Sequence, residues 1–264
     1  MTEYQRVTAE IDLDAVAYNI RNIRERVNKN SKIMGIVKAD AYGHGAVEVS
    51  KVLLYNGADW LGVAMIDEAI QLRQNNIMVP ILILGYTLET KIDDVVRYDI
   101  IQTVFSYDMA KLVSDAAVKQ NKIAKIHIKV DTGMGRIGFM PDENIGEEVL
   151  KISKLPNIEI NGIFTHFTTS DETDKSFTRL QIERFKYAID EIEKRGINLP
   201  VKHCANSAAI MDLEDLGFNM VRAGVILYGM YPSDDVKKEN LSLKPVMSIK
   251  THISYVKNVG VGVP

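Results

Sequence analysis

Lys38 is the residue of this sequence best placed for covalent chemistry. It ends a continuous apolar run, residues 33–37, and precedes a polar loop that carries Tyr42 and His44. A short apolar run bounded by turn residues predicts a strand buried on both faces, and α/β proteins keep their chemistry where such strands open into loops. Partial desolvation lowers the pKa of a lysine, and its neutral amine forms Schiff bases with carbonyl groups. The alternative is a lysine that only extends its ammonium group into solvent.

Polar and cationic side chains also follow later apolar segments. They are Lys129, Asp131 and Arg136, then Thr165 and His166, then Asn206 and Ser207, and finally Arg222, Gly224 and Val225. The backbone N–H groups of residues 223–225 and the Ser207 hydroxyl are suited to a phosphate. With the lysine, this cradle and the cationic side chains suggest pyridoxal 5'-phosphate held as a Schiff base. Considered alone, His166 could also be a strand-end histidine with satisfied hydrogen bonds. Arg136 could also cap a loop against Asp131.

The elements that position these residues are eight short apolar segments that alternate with amphipathic ones. The apolar segments lie at 33–37, 60–64, 80–85, 100–105, 125–130, 158–165, 201–205 and 220–223. This alternation predicts an α/β protein with a (β/α)8 TIM-type barrel, in which the loops after the strands share one face. A doubly wound open sheet is the alternative. Its glycine fingerprint is out of place, because the match at 133–138 lies far from the first βα turn.

Helix boundaries are predicted from capping residues. Asp12 and Ser106 precede apolar-periodic segments and are expected N-caps. Asp67 and Glu68 fit the acidic first turn of another helix.

The pattern changes near residue 232. A charged connector, 233–239, leads to a segment, 243–263, in which β-formers alternate with polar residues. We therefore expect three parts: a lead strand in residues 1–11 associated with a β domain, a cofactor-binding barrel in 12–232, and in 233–264 a connector with the first strands of an incomplete all-β C-terminal domain.

Composition excludes several classes of protein. The 264 residues carry 32 basic and 35 acidic side chains, a net charge of −3, so we expect no nucleic-acid or membrane partner. One cysteine excludes an internal disulfide and fits a reducing compartment. The polar start excludes a secretory signal, and the protein is predicted to be cytoplasmic. We expect no metal site.

Five segments carry a family resemblance. Residues 37–45, Val-Lys-Ala-Asp-Ala-Tyr-Gly-His-Gly, resemble the cofactor-lysine motif of the alanine racemases. Residues 129–138, 165–172, 203–209 and 221–229 resemble further motifs of that family, in family order. The resemblance spans nearly the whole chain. It implies a racemase dependent on pyridoxal phosphate that supplies D-alanine for the cell wall.

The resemblance also implies a role for each site residue. Lys38 would hold the cofactor and act as one of two acid/base groups. The remaining residues would bind around the cofactor and alanine: Tyr42, Ser207, Gly224 and Val225 at the phosphate, His166 and Arg222 at the ring, Asn206 beside them, and Arg136 at the substrate carboxylate. Lys129, often carbamylated in this family, would position Arg136.

Physical arguments support two of these roles. An arginine does not give up its proton at neutral pH, so Arg222 would keep the ring nitrogen unprotonated and favour reprotonation at Cα over transamination. Lys129 and Arg136 would repel each other if both were cationic, and a carbamate would turn that repulsion into a bridge.

Inverting a stereocentre requires an acid/base group on each face of Cα. In the family the second group is a tyrosine of the β domain, delivered across a head-to-tail homodimer after a stretch like residues 259–264. Tyr228, Tyr231 and Tyr255 are not in that motif. We therefore expect a portion of an alanine racemase that binds the cofactor but racemises poorly alone.

Three other functions remain open at this stage. One is a serine-selective racemase of the same family. Another is a non-catalytic barrel of the pyridoxal-phosphate homeostasis type, and a third is a decarboxylase on the same barrel.

Overall fold

Eight parallel strands close into a barrel in the computed structural model, which describes residues 6–262. Their order is that of the sequence, and the last strand pairs with the first. They are β2 (Lys32–Ile36), β3 (Trp60–Val63), β4 (Ile81–Ile83), β5 (Ile101–Val104), β6 (Ala124–Lys129), β7 (Ile158–Phe164), β8 (Val201–His203) and β9 (Met220–Ala223). The predicted (β/α)8 barrel is confirmed, and closure excludes the open sheet.

Helices follow the strands, and the longer ones cover the outside of the barrel. They are α1 (Leu13–Arg26), α2 (Lys38–Gly43), α3 (Ala46–Tyr55), α4 (Ile66–Gln74), α5 (Ile92–Arg97), α6 (Tyr107–Lys119), α7 (Ile145–Ser153), α8 (Ser176–Glu193) and α9 (Ser207–Asp212). Short 3-10 turns lie at Glu89–Lys91, Val225–Tyr228 and Lys238–Asn240. No helix among residues 6–262 is long and apolar enough to span a membrane.

The local signals for the helices act as expected. The Asp12 carboxylate accepts the Ala15 N–H at 2.9 Å, and the Ser106 hydroxyl accepts the Met109 N–H at 3.2 Å. Each satisfies a donor that the first helical turn leaves free.

The strands bury apolar side chains on both faces. Every residue of β3, β4 and β5 is buried. Outward-facing side chains pack under the helices, whereas Met34, Trp60 and Phe164 belong to a separate cluster with other strand residues. This explains why β3 and β4 are continuous apolar runs rather than alternating ones.

A second sheet lies outside the barrel. Strand β1 (Val7–Ile11) pairs antiparallel with β10 (Met247–Thr251). The pattern over 243–263 predicts more strand than the structure contains. Strand β10 ends at Thr251, and residues 252–262 form no strand and are exposed. Residues 1–5 and 263–264, which belong to the same predictions, lie outside the described part of the chain.

Candidate active site

A cavity of about 650 Å³ opens at the carboxyl ends of the strands. Its volume is in the range of small-molecule sites. Nine of the predicted site residues line it: Lys38, Tyr42, Arg136, His166, Asn206, Ser207, Arg222, Gly224 and Val225. Lys129 lies beneath it, buried in the barrel, with 2% of its surface exposed.

The segment after Lys38 differs from the irregular loop that its polar sequence predicts. Residues 39–42 all have φ between 51° and 54° and ψ between 36° and 50°, so α2 is a turn of left-handed helix. None of the four is glycine, and each such residue costs about 1–2 kcal/mol. This turn brings the Lys38 Nζ within 5.8 Å of the Tyr42 ring centroid. Both side chains line the cavity.

Gly224 and Ser207 form a compact polar cradle in the same cavity, and Gly224 follows strand β9, which pairs with β2. The Gly224 N–H donates to the Ser207 Oγ at 3.0 Å. A Cβ at Gly224 would lie 3.3 Å from that oxygen and 3.7 Å from the Tyr42 hydroxyl, so glycine keeps this space open. Asn206 has a structural role here, because its Oδ1 accepts the Ala209 N–H as the N-cap of α9.

Arg222 is buried and forms no ion pair with a carboxylate of residues 6–262. Its terminal nitrogens donate to the carbonyl oxygens of Thr165 at 2.8 Å and of Cys204 at 2.9 Å. They also contact the ring nitrogens His203 Nδ1 at 2.9 Å and His166 Nδ1 at 3.2 Å. Burial lowers the pKa of Arg222 to about 10, so the guanidinium keeps its charge at neutral pH.

The hydrogen bonds around Arg222 assign the histidine tautomers. Because Arg222 can only donate, His203 Nδ1 accepts and its proton lies on Nε2. That proton is donated to His127 Nδ1 at 3.0 Å, which places the His127 proton on Nε2, 3.4 Å from Asn161 Oδ1. Burial lowers the pKa of His127 to about 3 and that of His203 well below its ordinary value. These neutral histidines support Arg222.

His127 and His203 extend the site beyond the predicted residues. His203 appears in the sequence only as part of a motif, and His127 carries no local signal. Both lie on interior strands, where a buried histidine is usually explained by its own hydrogen bonds. His166 is neutral as well, because burial and then the Arg222 charge lower its pKa to about 3.

Lys129 is poised between its charged and neutral forms. Its Nζ donates to the Val130 carbonyl oxygen at 2.7 Å and lies 5.6 Å from the Phe164 ring centroid. Burial, followed by the charge of Arg222, lowers the pKa of Lys129 to about 7. The charge of Asp131 raises this pKa, and the charge of Arg136 lowers it. At neutral pH, Lys129 is therefore a neutral amine in a large fraction of the molecules.

Asp131 organises the loop that presents Arg136. Its Oδ1 accepts the N–H groups of Gly133, Met134 and Gly135 at 3.0, 2.8 and 3.1 Å, and its Oδ2 accepts the Arg136 N–H at 3.0 Å. Burial alone would raise the pKa of Asp131, but these backbone bonds hold it below its ordinary value. Asp131 thus binds the loop backbone, and the Arg136 side chain is exposed over the cavity.

Glu68 has a contact that sequence reasoning missed. Its Oε2 accepts the N–H groups of Ala64 and Met65 at the start of α4, as an acidic first-turn residue does. Its Oε1 accepts the Ala39 N–H at 2.6 Å, in the left-handed turn. Ala39 and Glu68 are 29 residues apart, so no local pattern indicates this bond.

Comparison with known proteins gives a consistent result. Residues 11–232 match the family described as "Alanine racemase, N-terminal domain". An alanine racemase of Clostridium tetani is 51% identical over 256 residues, which cover 97% of this chain and 66% of the relative. An alanine racemase 1 of Clostridium acetobutylicum is 53% identical over 253 residues, covering 96% of this chain and 65% of the relative. The chain thus spans about two thirds of the length of these curated relatives.

Solved structures agree. An alanine racemase of Clostridium difficile 630 in complex with cycloserine superposes with a TM-score of 0.94 at 45% identity, covering 98% of this chain and 70% of that one. An alanine racemase of Bacillus anthracis with bound L-Ala-P superposes with a TM-score of 0.86 at 33% identity, covering 94% and 64%. The family match covers all eight barrel strands, and curated relatives are 51% and 53% identical over 97% and 96% of this chain. This chain therefore belongs to the alanine racemase family.

Proposed function

We propose that this protein interconverts L- and D-alanine with pyridoxal 5'-phosphate. The observation that carries the proposal is the shared cavity of Lys38 and the Gly224–Ser207 cradle. A primary amine, together with a backbone N–H and a hydroxyl in the same cavity, matches the aldehyde and the phosphate of this cofactor. The family of the chain supports the same cofactor.

The residues present fit the cofactor. Tyr42, Ser207 and the backbone N–H groups of Gly224 and Val225 would hold its phosphate, in the space that the missing Cβ of Gly224 leaves free. His166 and Arg222 would bind its ring. When bound, the cofactor supplies an electron sink for the bond between Cα and its proton.

Lys38 would take or return the proton on one face of Cα. Arg222 keeps its own proton at neutral pH, so a ring nitrogen facing it would accept a hydrogen bond and stay unprotonated. A weaker electron sink favours quick return of a proton to Cα. The second face needs another acid/base group.

Arg136 would bind the substrate carboxylate, and we propose that Lys129 supports it as a carbamate. The neutral Lys129 amine would attack carbon dioxide, form an N–C bond and release one proton to solvent, leaving a negative group among Arg136 and Arg222. Intact-protein mass spectrometry under native conditions should show the added mass of one carbon dioxide, absent from Lys129→Ala. An unmodified lysine at neutral pH in bicarbonate would contradict this role.

We also propose that the cavity face is a homodimer interface. Apolar side chains that follow the central strands are exposed on this face: Met65, Tyr86, Leu88, Tyr107 and Met140. Sedimentation of Leu88→Glu should show a shift to monomer, whereas Val118→Glu, on the far end of α6, should leave the dimer intact. If both variants sediment as the wild type does, this interface is wrong.

The remaining proposals concern organisation and context. We propose residues 12–232 as the cofactor-binding barrel, with 1–11 and 233–264 belonging to a separate β part. The pairing of β1 with β10 outside the barrel supports this division. The composition supports a cytoplasmic enzyme, and D-alanine for the cell wall is the product that the family indicates.

Cofactor attachment is tested by adding pyridoxal phosphate to the purified protein. We expect a visible absorption band that borohydride abolishes, with a pyridoxyl group then found on the Lys38 peptide. Lys38→Ala should abolish the band and Lys32→Ala, at the opposite end of β2, should keep it. A wild-type protein without the band would contradict the proposed function.

Substrate and reaction are tested by proton exchange. In D2O the protein should place deuterium at Cα of alanine faster than at Cα of serine. Faster exchange with serine would favour a serine racemase, and a bound cofactor without exchange would favour a non-catalytic binding protein. Conversion of L-alanine to D-alanine by the protein would then show that acid/base groups act on both faces of Cα.

A further inference from the structure

The left-handed turn at residues 39–42 places two cofactor residues, Lys38 before it and Tyr42 at its end. Its backbone conformation is one that residues other than glycine rarely adopt. Conformations of this kind persist only where surrounding contacts over-determine them. The contacts that hold this turn therefore control the relative position of the two side chains.

Most of these contacts are local and involve Asp40 and Ala41, the two middle residues of the turn. The Asp40 carboxylate accepts the Ala46 N–H at 2.7 Å, and its carbonyl oxygen accepts the Gly45 N–H at 3.0 Å. The His44 ring contacts the Ala41 carbonyl oxygen at 2.9 Å. These bonds tie the turn to the start of α3.

The first residue of the turn is held from another βα unit. The Ala39 N–H donates to Glu68 Oε1 at 2.6 Å, and a bond to an ionised acceptor is stronger than a neutral one. The other oxygen accepts Ala64 at 2.7 Å and Met65 at 3.1 Å. Capping of α4 requires only Oε2. The second oxygen joins the loop after β3 to the point where the chain becomes left-handed.

We infer that Glu68 is a positioning residue for Lys38 and Tyr42: it holds the left-handed turn in place by accepting the Ala39 N–H. The consequence for cofactor binding rests on the proposed function. The consequence for the turn itself does not, because the turn can be observed without cofactor.

Glu68→Gln tests the inference with little change in size. Glutamine keeps one acceptor oxygen, so it can serve either Ala39 or the start of α4, and its NH2 group would face the other N–H. We expect amide hydrogen exchange in residues 38–43 to rise about tenfold without cofactor. The affinity for pyridoxal phosphate, followed by the visible band, should fall about tenfold.

Asp67→Asn is the matched control. Asp67 lies in the same helical turn, and its recorded side-chain contact is Lys91 Nζ at 3.2 Å. The control removes the same charge from the start of α4 but leaves the Ala39 bond. Exchange in residues 38–43 and cofactor affinity should match the wild type.

Ala39→Gly provides a rescue that separates positioning from helix capping. Glycine adopts the left-handed conformation without a Cβ penalty, so the turn needs less support. In Glu68→Gln/Ala39→Gly the cofactor affinity should return to within about threefold of the Ala39→Gly protein. If Glu68 only capped α4, the second substitution would restore nothing.

The outcomes separate the two proposals. If Glu68→Gln and Asp67→Asn exchange alike in residues 38–43, the inference on Glu68 is overturned. If the wild type takes up no cofactor, the proposed function fails, while the exchange comparison still decides the role of Glu68. If Glu68→Gln does not fold, folding of the double variant supports the inference, and its failure to fold overturns it.

Discussion

Two loops at the mouth of the barrel are each held by a carboxylate, but the two carboxylates come from different parts of the chain. In each, one carboxylate accepts backbone N–H groups beside a cationic side chain of the site. Asp131 belongs to the loop that it organises, up to Arg136, five residues away. Glu68 reaches the turn after Lys38 from 29 residues away. The first loop carries its own support, whereas the second depends on its neighbour in the barrel.

The difference shows in the glycines. The Asp131 loop folds back on β6, since the Phe139 N–H donates to the Lys129 carbonyl oxygen at 2.8 Å and Phe139 accepts from Asp131 at 2.9 Å. Gly138 lies in this close approach. The turn after Lys38 ends at Gly45, which has open space around it. Gly138 is therefore enclosed by the backbone of its own loop, whereas Gly45 is not.

Gly138→Ala should have the largest effect. Its Cβ would lie 2.4 Å from the Asp131 nitrogen and 2.6 Å from the Val130 carbonyl carbon, at φ +138°. We expect about 4 kcal/mol less unfolding free energy, from the clash with backbone and the strained φ. Gly45→Ala, at φ +88° with open space, should cost about 1 kcal/mol. Urea denaturation measures both, and equal losses would contradict the contrast.

Asp131→Asn should have the next largest effect. The amide keeps one acceptor oxygen but no charge, so several of the four backbone bonds weaken or are lost. We expect a loss of about 2 kcal/mol and faster amide exchange in residues 133–136. Asp142→Asn, an exposed Asp in the same βα segment, is the control. Slow exchange in the variant would show that the loop does not depend on Asp131.

Acid should affect the Asp131 loop in a defined pH range. The folded pKa of Asp131 lies below its ordinary value of about 4, so its stabilisation is complete above that value and is lost as pH falls toward the folded pKa. Each pH unit in this range costs up to about 1.4 kcal/mol. Asp131→Asn should lack this part of the pH dependence. Parallel stability curves for variant and wild type below pH 4 would contradict it.

Ala39→Gly should have the smallest effect, and a stabilising one. Ala39 is exposed at φ 51°, so glycine relieves backbone strain but makes the unfolded chain more flexible. The net gain should be about 0.5 kcal/mol. Ala9→Gly, at an exposed position in β1, should instead lose about 0.5 kcal/mol. A loss at both positions would argue against strain in the turn.

Much of the site could be predicted from the sequence. Each site residue lies at or after the carboxyl end of a strand, and parallel strands in a closed barrel bring these ends to one face. The cavity accordingly contains Lys38, Arg136, His166 and Arg222 together. The residues that support them could not be predicted in the same way. His127 contacts His203, 76 residues away, and the bond exists only because closure places both rings inside the barrel.

The sequence by itself determined the order of strands and helices, the strand ends that carry chemistry and the family of the chain. These follow from apolar periodicity and from residue types at short spacing, which are local properties. Tertiary structure alone decided the left-handed path after Lys38, the Glu68 bond to Ala39 and the relay from Arg222 to Asn161. Each of these depends on barrel register, which sets the distance between side chains from separate βα units.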